Sequence, residues 1–250
     1  MTYTPPRGKA YRIYNDLLMQ THLLVAGATG SGKSTVVNGI ITNALYHTPA
    51  DIGFILIDPK RVELREYIDL PHTMGYTSKI DDIPQTLHSV LAIVNARLAD
   101  MERKHQRMYT GSNIYVIIDE LMPIMVRSEI KKAVLPILQE ILAIARCARV
   151  HVIACTQSPI VAVLPTQLKC NFDSRIALRT ATPQDSRNIL GSLPKEYPPC
   201  STFPDPKADG KALAYYRHGA DTDLYDVPRY TDAERAALIN YWTTYGKRRA

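Results

Sequence analysis

Short, unbroken apolar runs recur along the chain, separated by stretches in which apolar residues return every three or four positions. Leu23-Leu24-Val25-Ala26, Gly53-Phe54-Ile55-Leu56-Ile57, Ile114-Tyr115-Val116-Ile117-Ile118 and residues 150–155 are too short for buried helices. They predict strands that are buried on both faces. Residues 174–180 and 211–216 predict two more. Between them, Val36, Val37, Ile40 and Ile41 share one helical face, and Leu87, Val90, Leu91, Val94, Leu98 and Met101 predict a long helix over 84–106. Asp81 and Asp82 stand at its positive end and Pro84 in its first turn. Residues 130–146 predict a helix that Pro136 either kinks or begins. Residues 231–245 predict a last one, capped by Thr231 with Glu234 at the capping-box position. Thr48-Pro49 and Thr110-Gly111-Ser112-Asn113 break the pattern. Residues 62–80 and the proline-rich 192–210 predict loops. Residues 1–20, with Pro5-Pro6 and several tyrosines, predict an extended lead-in with an edge strand near 10–13. Strands alternating with helices predict an α/β fold over residues 21–250, with a mostly parallel central sheet flanked by helices on both faces.

Composition adds bounds. A chain of 250 residues buries a full core as one domain, and 46% hydrophobic with 22% charged residues is ordinary for a globular protein. No apolar run approaches the roughly 18 residues of a membrane span, and the start MTYTPPRGKA has no apolar signal-peptide core. Cys147, Cys155, Cys170 and Cys200 lack metal-type spacing, and read as reduced thiols of a cytoplasmic protein. A net charge of +6 and a pI near 9.1 fit a polyanionic partner without pointing to one.

The chemistry begins after the first predicted strand. Gly27-Ala28-Thr29-Gly30-Ser31-Gly32-Lys33-Ser34 fits G-x-x-x-x-G-K-[ST], between a strand and a helix. Glycines let several backbone N–H groups converge on phosphate oxygens, and the helix N-terminus adds partial positive charge. Residues 27–35, through Thr35, are the candidate ATP-binding loop. Lys33 reaches the β- and γ-phosphates, and the Ser34 hydroxyl ligates Mg²⁺. In an open parallel sheet the ligand lies off the carboxyl ends of the strands. Asp58, Asp119-Glu120 and Gln157 all fall at such ends. Asp119 suits the Mg²⁺ shell beside Ser34, and Glu120 suits the general base that polarises the attacking water. Gln157 suits the γ-phosphate or that water; a turn-forming role stays open. Asp58 reads equally as a strand-end cap.

HLLVAGATGSGKS, FILIDPK, IYVIIDE, ARCARVHVIACTQSP and SRIALRTATPQDSRNILG, in this order, resemble the motor domain of the FtsK/SpoIIIE family of DNA translocases over roughly residues 20–245. The resemblance implies a RecA-like fold, a homohexameric ring, and ATP-driven movement on double-stranded DNA in its pore. It carries Walker A roles to Lys33 and Ser34 and Walker B roles to Asp119 and Glu120. Gln157 falls on the family's sensor glutamine. Arg146 falls where the family places an arginine that reaches the neighbouring subunit's ATP, and Lys169 and Arg187 fall on basic positions of the DNA-facing loops. Ser158 stands where arginine is frequent, Gln184 where lysine occurs, and Arg149 where glycine is usual, so Arg149 competes for the finger role. The chain ends soon after Trp242, without a winged-helix module, membrane helices or linker. This implies a stripped motor like those of plasmids, phages or integrative elements, with membrane or mobile-element proteins as partners. Two other readings stand beside it: a coupling or secretion-type ATPase moving a protein or nucleoprotein, and a non-motor P-loop kinase or nucleotide switch.

Overall fold

The computed structural model describes residues 11–191, 193, 197–206 and 211–246. Its centre is an eight-stranded sheet of order β3-β2-β4-β5-β1-β6-β7-β8. The strands are β1 (His22–Ala26), β2 (Ile52–Ile57), β3 (Thr73–Thr77), β4 (Asn113–Ile118), β5 (Val150–Thr156), β6 (Ser174–Ala177), β7 (Ala212–His218) and β8 (Asp221–Val227). β3 through β6 in that order pair in parallel, and β7 and β8 add an antiparallel hairpin at one edge.

Because strand side chains alternate, an unbroken apolar run feeds two cores. Leu24, Ala26, Val116 and Ile118 face one side, under α3 (Ile83–Arg103) and α5 (Ser128–Ile144). Leu23, Val25, Phe54, Leu56 and Ile117 face the other, under α1 (Arg12–Leu18), α2 (Lys33–His47) and α8 (Asp232–Tyr245). Three further helices, α4 (Met122–Met125), α6 (Thr166–Lys169) and α7 (Pro183–Leu190), lie in the connections between strands.

Several expectations hold. Pro84 lies in the first turn of α3, and Thr231 accepts from the Glu234 amide in a capping box. Others need correction. The lead-in is helical from Arg12 rather than extended, because Ile13, Tyr14, Leu17 and Leu18 make an apolar stripe that docks on α2; residues 1–10 lie outside the described residues. Pro136 does not begin its helix but lies inside it, between Ser128 and Ile144. The stretch 62–80 contains strand β3, and the mostly parallel sheet ends in an antiparallel hairpin whose second strand, β8, the apolar pattern does not predict. Part of 192–210 lies outside the described residues; the rest includes one 3₁₀ turn, Cys200–Thr202.

The α1–α2 seam is tight. A Cβ on Gly39 would sit 2.0 Å from Cζ of the buried Tyr14. Gly39→Ala is therefore expected to cost about 1–3 kcal/mol through overpacking. The measurement is a lower urea midpoint at unchanged slope. A mutant as stable as the parent would mean that α1 does not dock there.

Candidate active site

The phosphate loop hangs between two neighbouring strands. Gly27 N donates to Thr156 O at 3.2 Å and Ala28 N to Arg179 O at 2.8 Å, which pins the loop's start to the ends of β5 and β6. Gly27 has no room for a side chain: a Cβ would meet Ser31 Oγ at 2.5 Å and Leu178 Cβ at 2.8 Å. Gly32, at φ +106°, turns the chain into α2 and caps it without a side chain, so the first-turn N–H groups remain for a ligand. Lys33 Nζ donates to Gly27 O at 2.7 Å and Ala28 O at 2.9 Å, folding back over the loop. Burial pulls its ammonium below the usual lysine range.

The acidic side of the cleft comes from β2 and β4. Asp119 N donates to Ile57 O at 2.9 Å, which sets the end of β4 beside that of β2. The Asp119 side chain is 8% exposed, and its Oδ2 has no hydrogen-bond partner. Burial, and next the Asp58 charge, raise its carboxyl to about 7. Asp58 accepts from Leu64 N at 3.1 Å through Oδ2, which is the cap role; its Oδ1 is unpartnered. Unpartnered buried carboxylate oxygen is a hard donor of the kind Mg²⁺ takes, and both acids follow strands that run parallel to the one that carries the phosphate loop. Among the described residues no group of three or more His, Cys, Asp or Glu forms a metal cage.

Glu120 is fully buried. Its Oε1 accepts from Gln157 N at 3.0 Å and Met122 N at 3.3 Å, and its Oε2 from Lys60 Nζ at 3.0 Å. Sequence reasoning gave Lys60 no role, although it stands in the FILIDPK block. Gln157 follows β5, which lies between the strands carrying the phosphate loop and the acids. Its Oε1 accepts from Thr29 Oγ1 at 2.9 Å. One residue thus touches the loop with its side chain and the buried glutamate with its backbone.

The remaining expected residues lie elsewhere. Arg146 is exposed in the turn before β5, off the amino end of that strand, whereas the phosphate loop follows the carboxyl end of its parallel neighbour β1. Arg149, at φ +55°, is tied down: Nε donates to Asn113 Oδ1 at 3.0 Å, and Nη2 lies 3.4 Å from Asp51 Oδ2. Both arginines line a cavity of about 650 Å³ with Asn15, Tyr109, Tyr115 and His151. Lys169 bonds to α7, the helix that carries Arg187. Lys169 Nζ donates to Asn188 O at 2.9 Å, beside Arg175 Nη1 on Ile189 O at 3.3 Å, so cations close the carbonyl end of the helix. Burial lowers the Lys169 ammonium from its ordinary value. Arg187 is exposed, with Nε on Gln184 Oε1 at 3.3 Å.

A strand inserted between the phosphate-loop strand and the carboxylate strand, with its polar end reading both, places the molecule among RecA-like P-loop ATPases. More narrowly, the chain belongs to the FtsK/SpoIIIE family, whose model matches residues 5–196. It is 35% identical to a DNA translocase FtsK of Lactiplantibacillus plantarum over 71% of this chain, and 36% identical to that of Lactococcus lactis subsp. cremoris over 70%. It spans 25% and 26% of those proteins' lengths. Among solved structures, it superposes on the monomer form of the pCW3 conjugation coupling protein TcpA with ATPγS. The TM-score is 0.69 at 22% identity, covering 90% of this chain and 66% of that one. The cytoplasmic domain of the Thermomonospora curvata type VII secretion ATPase EccC also gives 0.69, at 17% identity, covering 89% of this chain and 28% of that one. These two likenesses show the fold.

Proposed function

We propose that this chain is a cytoplasmic motor that hydrolyses ATP at the interfaces of a ring, a hexamer, and moves double-stranded DNA through the pore. The observation that carries the reading is the union at one sheet edge of the phosphate loop, the buried Asp119-Glu120 pair and Gln157. A nucleoside has room beside the loop, in a cleft of about 370 Å³ lined by Gly32, Thr35, Pro206, Ala212, Val227 and Arg229. Ser34 and Asp119 would hold Mg²⁺, which supplies charge neutralisation on the phosphates. Lys33 orients the β- and γ-phosphates. Glu120 takes a proton from the attacking water, and Gln157, hydrogen-bonded to Thr29, fixes the loop against the base.

The two relatives named above are DNA translocases, which favours duplex DNA as the cargo. The fold is equally that of TcpA and EccC, so movement of a protein or nucleoprotein is the alternative. Linear duplex DNA separates the two: it is expected to raise ATP turnover several-fold in the first case and to leave it unchanged in the second. Lys169 and Arg187 would meet DNA phosphates without reading bases. In the double alanine variant the slope of log affinity against log salt should become shallower by about two, with loss of DNA-stimulated turnover. Lys169 also holds Asn188, so thermal unfolding is followed in parallel and Arg187→Ala alone serves as the second variant. A folded double variant with full DNA stimulation would remove this surface from DNA binding.

A further inference from the structure

We infer that Lys60 restrains the catalytic base: its ammonium occupies the one carboxylate oxygen of Glu120 that is left for water, and must leave it before hydrolysis. The inference rests on the proposed role of Glu120. Its carboxylate is fully buried, and Oε1 is filled by the Gln157 and Met122 amides. Only Oε2 remains to accept a proton from water, and there Lys60 Nζ sits at 3.0 Å. A charge-assisted hydrogen bond of this kind competes with water far better than a neutral donor does.

The two partners differ in freedom. Glu120 is fixed by backbone amides at the end of β4, whereas the Lys60 side chain is 34% exposed. Lys60 belongs to the turn after β2, where the next residue, Arg61, is at φ +60°. Lys60 can therefore swing toward solvent while Glu120 stays. Its charge is also felt at Lys33, together with those of Glu120 and Asp119, so it belongs to the phosphate end of the cleft. Lys60 is a positioning residue that acts through Glu120.

The test is ATP turnover, without DNA, of Lys60→Met, Lys60→Arg, Glu120→Gln and Lys60→Met/Glu120→Gln, with thermal unfolding of each. Losing one charged hydrogen bond from Oε2 should raise kcat about tenfold in Lys60→Met, with KM unchanged. Lys60→Arg, which keeps a cation there, should raise it less. In the Glu120→Gln background the substitution at 60 should have no further effect. An unchanged or lowered kcat in folded Lys60→Met would overturn the inference, as would an equal gain in both backgrounds. If Lys60→Met does not fold, a Lys60→Arg rate below that of the parent overturns it. Failure of the underlying reading looks different: parent turnover would survive Glu120→Gln or Lys33→Ala.

Discussion

Arg146→Ala is expected to lower ATP turnover by about 10³ to 10⁵, the worth of a guanidinium on the charge that develops at the γ-phosphoryl oxygens. The sheet leaves a trans arrangement as the way to get it there. Arg146 sits off the amino end of β5 and the phosphate loop off the carboxyl end of parallel β1, so opposite edges of one sheet separate them. Arg149, the competitor, is held by Asn113 and Asp51 within its own chain, while Arg146 is exposed. Turnover per chain should therefore rise with protein concentration. Mixing Lys33→Ala chains, which keep Arg146, with Arg146→Ala chains, which keep a whole phosphate loop, should restore part of the activity that each lacks alone. No recovery in verified mixed oligomers, together with turnover independent of concentration, would exclude the finger in trans.

The second large effect belongs to Glu120→Gln. The amide keeps an oxygen for the Gln157 and Met122 N–H groups, so the end of β4 should hold its shape. It cannot take a proton. Turnover should fall by about 10² to 10⁴ while ATP binding persists, giving a variant that traps nucleotide. Loss of binding with normal hydrolysis per bound nucleotide would make Glu120 a structural residue instead.

The parts legible in the sequence share one property: their signal is local. Four apolar runs buried on both faces gave the core strands, and the loop after the first gave Lys33 and Ser34. Strand ends then placed Asp119, Glu120 and Gln157 on one edge. What stayed hidden depends on partners distant in sequence. β3 is a half-buried edge strand whose Gly75 and Thr residues carry no apolar run. β8 carries three aspartates and shows only where it pairs with β7. α1 looked extended because its stripe spans only seven residues and gains its meaning from α2. α7 did carry a readable cue, Thr182 three residues before Asp185, which forms a capping box in the structure. Lys60 stands in the FILIDPK motif, yet its contact with Glu120 forms only once β2 and β4 lie side by side.

The docking of α1 has a mechanical side. The Tyr14 hydroxyl donates to Thr35 O at 3.4 Å and also to Pro228 O, so the first helix grips the opening turn of α2 and the segment leading to Arg229 at once. Its ring fills the notch over Gly39, and the Asn15 amide oxygen accepts from Asn43 at 2.7 Å, one helix turn farther along. A load applied at residue 11 therefore enters α2 through these contacts and the sheet through the Tyr115 hydroxyl on Leu18 O at 2.9 Å.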